Sequence, residues 1–199
     1  RRFPVSHDFT AELFPLFKKH FELCKVKNGE NILVFTDSEF NPQYPAAALA
    51  AAKELGAEVI QMNVPTDLKS LSAPMIVETW KAADMVIGMT SNIGWLYSEA
   101  HNEALDSGTR TLMIEEPVEV LRRMFPDEKV RRRSIEGAKV LEKGKEMVVT
   151  SEAGTDLRLG IENRPGIAQY GISDTPGRWD HWPSGLAACA PVEGSAEGT

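Results

Sequence analysis

Short apolar runs alternate with amphipathic stretches along the first 143 positions of this chain. Leu13, Leu16, Phe17, Phe21 and Cys24 recur at helical spacing and predict a helix over residues 8–26, capped by Asp8 or Thr10. Ile32–Phe35 is apolar throughout, the pattern of a strand buried on both faces. An Ala-rich helix over Pro45–Leu55 follows, with Pro near its start and Gly56 just past its end. Val59–Val64 reads as a second strand, and Ala73–Ala83 as a helix with Ile76, Val77 and Trp80 on one face. Met85–Met89 is a third strand, Leu96–Asp106 a helix and Thr111–Ile114 a fourth strand. Helices over Val118–Phe125 and Asp127–Lys143 complete the series, the second turning Val130, Ala138 and Leu141 inward. Strand–helix alternation with apolar strands predicts an α/β domain over residues 1–143, with a Rossmann-like, doubly wound parallel sheet.

The pattern changes after Gly144. Met147–Thr150 and Leu157–Ile161 flank a Gly-containing turn and predict a β-hairpin. Gly and Pro are frequent beyond it, without helical periodicity. Residues 144–199 are therefore expected to be the opening, incomplete part of a mostly β second domain.

Composition narrows the function classes. The net charge is −7, from 29 acidic against 22 basic residues, which argues against a nucleic-acid partner. The basic run Arg131-Arg132-Arg133 lies among acids on a predicted helix and reads as a solvated face. No apolar stretch approaches the length of a membrane span, so no membrane partner is expected. Cys24 and Cys189 are far apart and form no CxxC, as expected of a cytoplasmic protein.

A parallel sheet raises the question of a dinucleotide, but the loop after the first strand, Thr36–Pro42, has no glycine and carries two acids. His7, His20, His101 and His181 show no metal-binding spacing, so no metal ligand is assigned within the chain. Loops at the carboxyl ends of the strands are the expected ligand side. There Ser91, Asn92 and Tyr97 suit a small-molecule pocket, although Ser91 or Asn92 also suits a helix cap. Glu115-Glu116-Pro117 reads first as a helix start.

The densest chemistry lies in Gly177-Arg178-Trp179-Asp180-His181-Trp182-Pro183-Ser184-Gly185. Trp offers a flat apolar face, and His exchanges a proton near neutral pH. Flanking Gly and Pro predict an irregular loop. Such a loop could grip a planar substrate or plug the core.

That segment, with Tyr170-Gly171 before it and Ser195-Ala196-Glu197-Gly198-Thr199 after it, resembles the 2,5-dihydroxypyridine 5,6-dioxygenase family. Weaker similarity runs through Ser107–Arg110, Glu116–Met124 and Glu152–Asp156, so the resemblance is close over residues 80–199 and looser before them. The wider superfamily includes M29-type metallo-aminopeptidases. The resemblance implies a mononuclear Fe(II) enzyme that opens a hydroxylated pyridine, a small aromatic N-heterocycle, with dioxygen. It also implies that the two His and one Asp that hold the iron lie downstream of Thr199. The chain then reads as the N-terminal portion of such an enzyme, expected to be a homo-oligomer.

By the same resemblance His181 faces the substrate and handles a proton, while Tyr97, Gln169, Arg178 and Trp182 shape the pocket. Two positions depart from the family. Gln169 stands where it carries Glu, and Tyr97 where it carries His. Gln cannot act as a general base. Both departures bear on which ring is bound. The alternatives are an M29-like metallo-aminopeptidase and a non-catalytic fragment that binds a small molecule.

Overall fold

The computed structural model describes residues 10–67 and 69–199. Contacts divide the chain into two units, residues 1–125 with 171–183, and residues 126–170 with 184–199. The expected boundary after residue 143 differs from this division. The helix over 128–143 belongs to the second unit, and the chain later returns to the first.

The first unit is built on a five-stranded parallel sheet. Its strands are β1 (Asn31–Asp37), β2 (Glu58–Val64), β3 (Met85–Met89), β4 (Arg110–Ile114) and β8 (Trp179–Trp182), in the order β2-β1-β3-β4-β8. β3 and β4 are buried along their whole length; the apolar run of β3 predicts this, whereas β4 also buries Arg110 and Thr111. Helices α1 (Thr10–Leu23), α2 (Gln43–Glu54), α3 (Pro74–Ala82), α4 (Glu99–Asp106) and α5 (Val118–Arg123) complete the unit. The Asp8 cap and the Thr10 side chain lie outside what is described. Ala47, Ala48, Ala51 and Ala52 are buried, so α2 approaches its neighbours closely. Gly56 closes that helix at φ +84°, a conformation that favours glycine.

The helix expected over Leu96–Asp106 is two pieces. A 3-10 turn over Ile93–Tyr97 is capped by Asn92, whose Oδ1 accepts from Gly94 N at 2.8 Å. α4 then starts afresh, with Ser98 Oγ accepting from His101 N. The break lets Trp95 lie over β3. A Cβ built on Gly88 would stand 2.2 Å from the Trp95 ring, so only glycine leaves room there. Trp80, Trp95, Phe35 and Val86 share the core cluster on this face.

The second unit contains α6 (Glu128–Lys143) and short strands. α6 is capped by Asp127, whose Oδ1 accepts from Val130 N at 2.8 Å, and it buries Ser134 and Ala138. The expected hairpin is present as β5 (Glu146–Thr150) and β6 (Asp156–Gly160), joined by β10 (Glu197–Gly198). β7 (Ile167–Gln169) and β9 (Leu186–Ala188) form a separate antiparallel pair packed on α6. Gly166 sits so close to α6 that a Cβ would lie 2.1 Å from the Ala138 carbonyl oxygen.

Candidate active site

All five strands of the first unit are parallel, so their carboxyl ends share one edge. Ligands of such sheets bind at that edge, where neighbouring connections leave in opposite directions. In this order the divergence falls between β1 and β3. Asp37, the last residue of β1, bridges the loops there. Its Oδ1 accepts from Glu39 N and Phe40 N, both at 3.0 Å. Its Oδ2 accepts from Ser91 N at 2.6 Å and Ser91 Oγ at 2.8 Å. Burial raises the Asp37 pKa, but these four hydrogen bonds outweigh it and hold the carboxyl below its ordinary range. Ser91 is thus an anchor for the β3 loop.

Further along this edge, Glu115, Glu116 and Pro117 follow β4 and lead into α5, as the helix-start reading expects. Tyr44 Oη donates to the Glu116 carbonyl at 3.2 Å. A cavity of about 370 Å³ is lined by Phe40, Asn41, Tyr44, Glu115, Val118 and Glu119. Burial, and then the Glu116 charge, raises the Glu115 pKa.

The Gly177–Gly185 segment is not the expected loop. Trp179–Trp182 forms β8 and pairs in parallel with β4, Met113 opposite His181 and Ile114 opposite Trp182. Its burial alternates: Asp180 and Trp182 are fully buried, Trp179 and His181 half-buried. Strand periodicity therefore sends the two tryptophans to opposite faces. Trp182, expected at a pocket wall, lies in the core. It stacks on His20 at 4.1 Å between centroids and 10° between planes, with Phe17 and Phe125 edge-on. His20 Nε2 donates to the Gly171 carbonyl at 2.5 Å. Complete burial holds the His20 pKa down at about 4.

Arg178, expected to bind substrate, is committed within the protein. Its Nε donates to the Ile172 carbonyl at 3.0 Å, and its guanidinium forms an ion pair with Asp180. Asp180 in turn accepts from Gly171 N at 2.8 Å and His181 N at 2.9 Å. This buried clamp fixes the backbone from which His181 projects. The His181 ring makes no hydrogen bond among the described residues. Burial lowers the His181 pKa, and the charges of Asp180 and Glu116 partly oppose that. A neutral imidazole near pH 7 can accept a proton from a bound hydroxyl.

A sequence model described as 2,5-dihydroxypyridine 5,6-dioxygenase (NicX) matches residues 12–199. The chain belongs to this family. It is 33% identical over 215 residues to the 2,5-dihydroxypyridine 5,6-dioxygenase of Pseudomonas putida KT2440. The match covers 98% of this chain and 59% of that protein, so the chain spans well under two thirds of its relative's length. The solved structure of the P. putida 2,5-dihydroxypyridine dioxygenase superposes with a TM-score of 0.84 at 31% identity, covering 98% of this chain and 59% of that one. AmpT from Thermus thermophilus is 12% identical with a TM-score of 0.52, covering 96% of this chain and 64% of that one, a likeness of fold alone.

The remaining family-derived positions fall in both units. Tyr97 ends the 3-10 turn after β3 in the first unit and is 81% exposed. Gln169 ends β7 in the second unit and is buried. Among the described residues no three His, Cys, Asp or Glu side chains converge as a metal site. The described residues therefore do not by themselves fit an iron centre. Among the described residues no helix is long and apolar enough to cross a membrane. Sequence reasoning passed over Asp37 and Tyr44. The signal for Asp37 was its place at the end of an apolar strand, where a lone acid answers the loop's free N–H groups.

Proposed function

We propose that this chain is the N-terminal part of an Fe(II)-dependent dioxygenase that opens the ring of a hydroxylated pyridine such as 2,5-dihydroxypyridine. The carrying observation is the family match over residues 12–199, which includes the whole His181 strand. In this reading His181 takes the proton of the ring hydroxyl, because ring opening by dioxygen proceeds from the deprotonated substrate. Its lowered pKa keeps it unprotonated at neutral pH, so it is ready to accept. The Asp180–Arg178 clamp holds it in register. Tyr97 and Gln169 are the substrate-binding positions that the family resemblance implies, and Gln169 offers hydrogen bonds only. The iron ligands lie downstream of Thr199 in the full protein, which acts in the cytoplasm as a homo-oligomer. An α/β domain over residues 1–143 and an incomplete β-rich domain over 144–199 remain the proposed division.

The test uses the full-length enzyme with Fe(II), an oxygen electrode and 2,5-dihydroxypyridine. Substrate-dependent oxygen uptake is expected, and His181→Gln should lower kcat about 10²- to 10⁴-fold with the thermal transition unchanged. Activity should fall on the acid side as His181 becomes protonated. Absence of oxygen uptake with any dihydroxypyridine overturns the reading. Metal-dependent release of N-terminal residues from peptides without oxygen would replace it with an aminopeptidase.

A further inference from the structure

His101, on α4, is buried and takes no part in the proton transfer given to His181. Its ring joins three elements of the first unit. Nδ1 lies 2.9 Å from the Leu96 carbonyl oxygen. A carbonyl only accepts, so Nδ1 carries the proton and donates. In the neutral ring Nε2 is then an acceptor, and Thr111 Oγ1 donates to it at 2.9 Å. Burial lowers the His101 pKa, which keeps the ring in this neutral form near pH 7.

Aromatic neighbours hold the ring in that orientation. Trp95 stands edge-on to it, with 5.3 Å between centroids and 90° between planes, and Trp179 does so at 6.1 Å and 85°. The two partners of the ring lie in telling places. Leu96 belongs to the 3-10 turn over Ile93–Tyr97 and immediately precedes Tyr97. Tyr97 is exposed, so the backbone beneath it sets its position. Thr111 belongs to β4 and stands opposite Trp179 of β8, where its N–H donates to the Arg178 carbonyl at 2.9 Å. Residues two apart on a strand share a face, so Thr111, Met113, Trp179 and His181 lie on one face of the sheet. One end of the His101 ring therefore holds the turn that ends at Tyr97. The other holds the strand pair from which His181 projects.

We propose that His101 is a positioning residue: by tying the Leu96 carbonyl to Thr111, it fixes Tyr97 relative to His181 so that both meet the same substrate ring. This rests on the dioxygenase reading, in which Tyr97 binds the ring and His181 takes its proton. A base acts on a bound hydroxyl only when the ring is held in one geometry, and a misplacement of about 1 Å can cost about 10²-fold in rate. A satisfied core histidine would need only two partners of any kind. His101 has one beside Tyr97 and the other on the strand that pairs with the His181 strand. Both hydrogen bonds lie inside the core, where water does not compete for them.

The experiment uses the full-length enzyme with Fe(II), 2,5-dihydroxypyridine and an oxygen electrode. His101→Phe keeps a flat ring and loses both hydrogen bonds; it should raise KM about tenfold while kcat changes by less than about threefold. His101→Asn keeps a donor near the place of Nδ1, and its KM should stay within about threefold of the parent. Thr111→Val removes the donor to Nε2 and should raise KM about threefold; it carries the test if His101→Phe does not fold. KM does not depend on how many molecules are folded, so a merely destabilised variant loses rate and keeps its KM. Tyr97→Ala should itself raise KM, and His101→Phe should add less than about twofold to it, because the two residues act as one unit. With an active parent, an unchanged KM in both His101→Phe and Thr111→Val overturns the proposal and leaves the dioxygenase reading standing. So does a His101→Phe effect that is undiminished in the Tyr97→Ala background. A parent that takes up no oxygen with any dihydroxypyridine overturns the dioxygenase reading and, with it, the placing of Tyr97 for a ring.

Discussion

The first unit closes a core and the second leaves much of its apolar surface open. In the first, Trp80, Trp95, Trp182, Phe17, Phe21 and Phe35 are all fully buried, on the two faces of one sheet. In the second, Val148, Val149, Ile167 and Leu186 are each at least 40% exposed on strands of three to five residues. Burial on both faces of a parallel sheet gives each side chain many fixed neighbours. Short antiparallel strands carry far less of that constraint. The difference teaches where positional precision resides. His181 rises from the crowded sheet, so its backbone is held by Asp180. Gln169 sits on a three-residue strand and depends on α6 for its place.

The comparison breaks first at Trp182. Trp182→Ala removes the ring between His20, Phe17 and Phe125, and should cost about 4 kcal/mol in urea unfolding of the protein. A cost below 1 kcal/mol would mean that the aromatic cluster is not the keystone described here. Gly88→Ala tests the same core from the sheet side. Its methyl must displace the Trp95 indole, and a loss of about 3 kcal/mol is expected, read as a lower Tm.

Acid tests the buried histidine. Folding keeps His20 neutral by lowering its pKa from 6.5 to about 4, so the unfolded chain binds the extra proton between those values. Stability from this source is complete above pH 6.5 and is lost as pH falls toward 4. The loss should approach about 3 kcal/mol near pH 4. His101, also buried, shifts in the same direction. In His20→Gln the slope of stability against pH over this window should flatten; an unchanged slope would assign it to other groups. The smallest effect belongs to the second unit. Val149 is 40% exposed on β5, and Val149→Lys should change stability by about 0.5 kcal/mol or less. A larger loss would show that this strand is covered in the full protein.

Much of the fold was legible because burial leaves a local mark. Uninterrupted apolar runs such as Met85–Met89 coincide with strands, and Gly56 and Asp127 mark helix ends by backbone chemistry that needs no tertiary context. The Leu96–Asp106 stretch was harder. Its helical spacing holds in part, but Asn92 and Ser98 each supply a cap, so the chain starts twice. β8 was read as a loop because Gly and Pro flank it and its tryptophans suggested a pocket. Its alternating burial is a strand signature, but its partner β4 lies more than sixty residues earlier, and no local window contains both. The neighbours of Arg178 and Trp182 were hidden for the same reason. Residue type says what a side chain can do, and only packing says which neighbours take up that capacity.

The sequence by itself determined the alternation of strands and helices, the absence of a dinucleotide loop after β1 and the family resemblance carried by the Gly177–Gly185 string. The first two follow from composition and spacing along a continuous stretch, and the third from likeness to a known family. Tertiary structure alone decided that this string closes a parallel sheet, that Asp37 ties two loops at the carboxyl edge and that one half of the aromatic motif is core while His181 faces outward. Each of these depends on which distant residues become neighbours, and that is settled when the apolar faces are buried together.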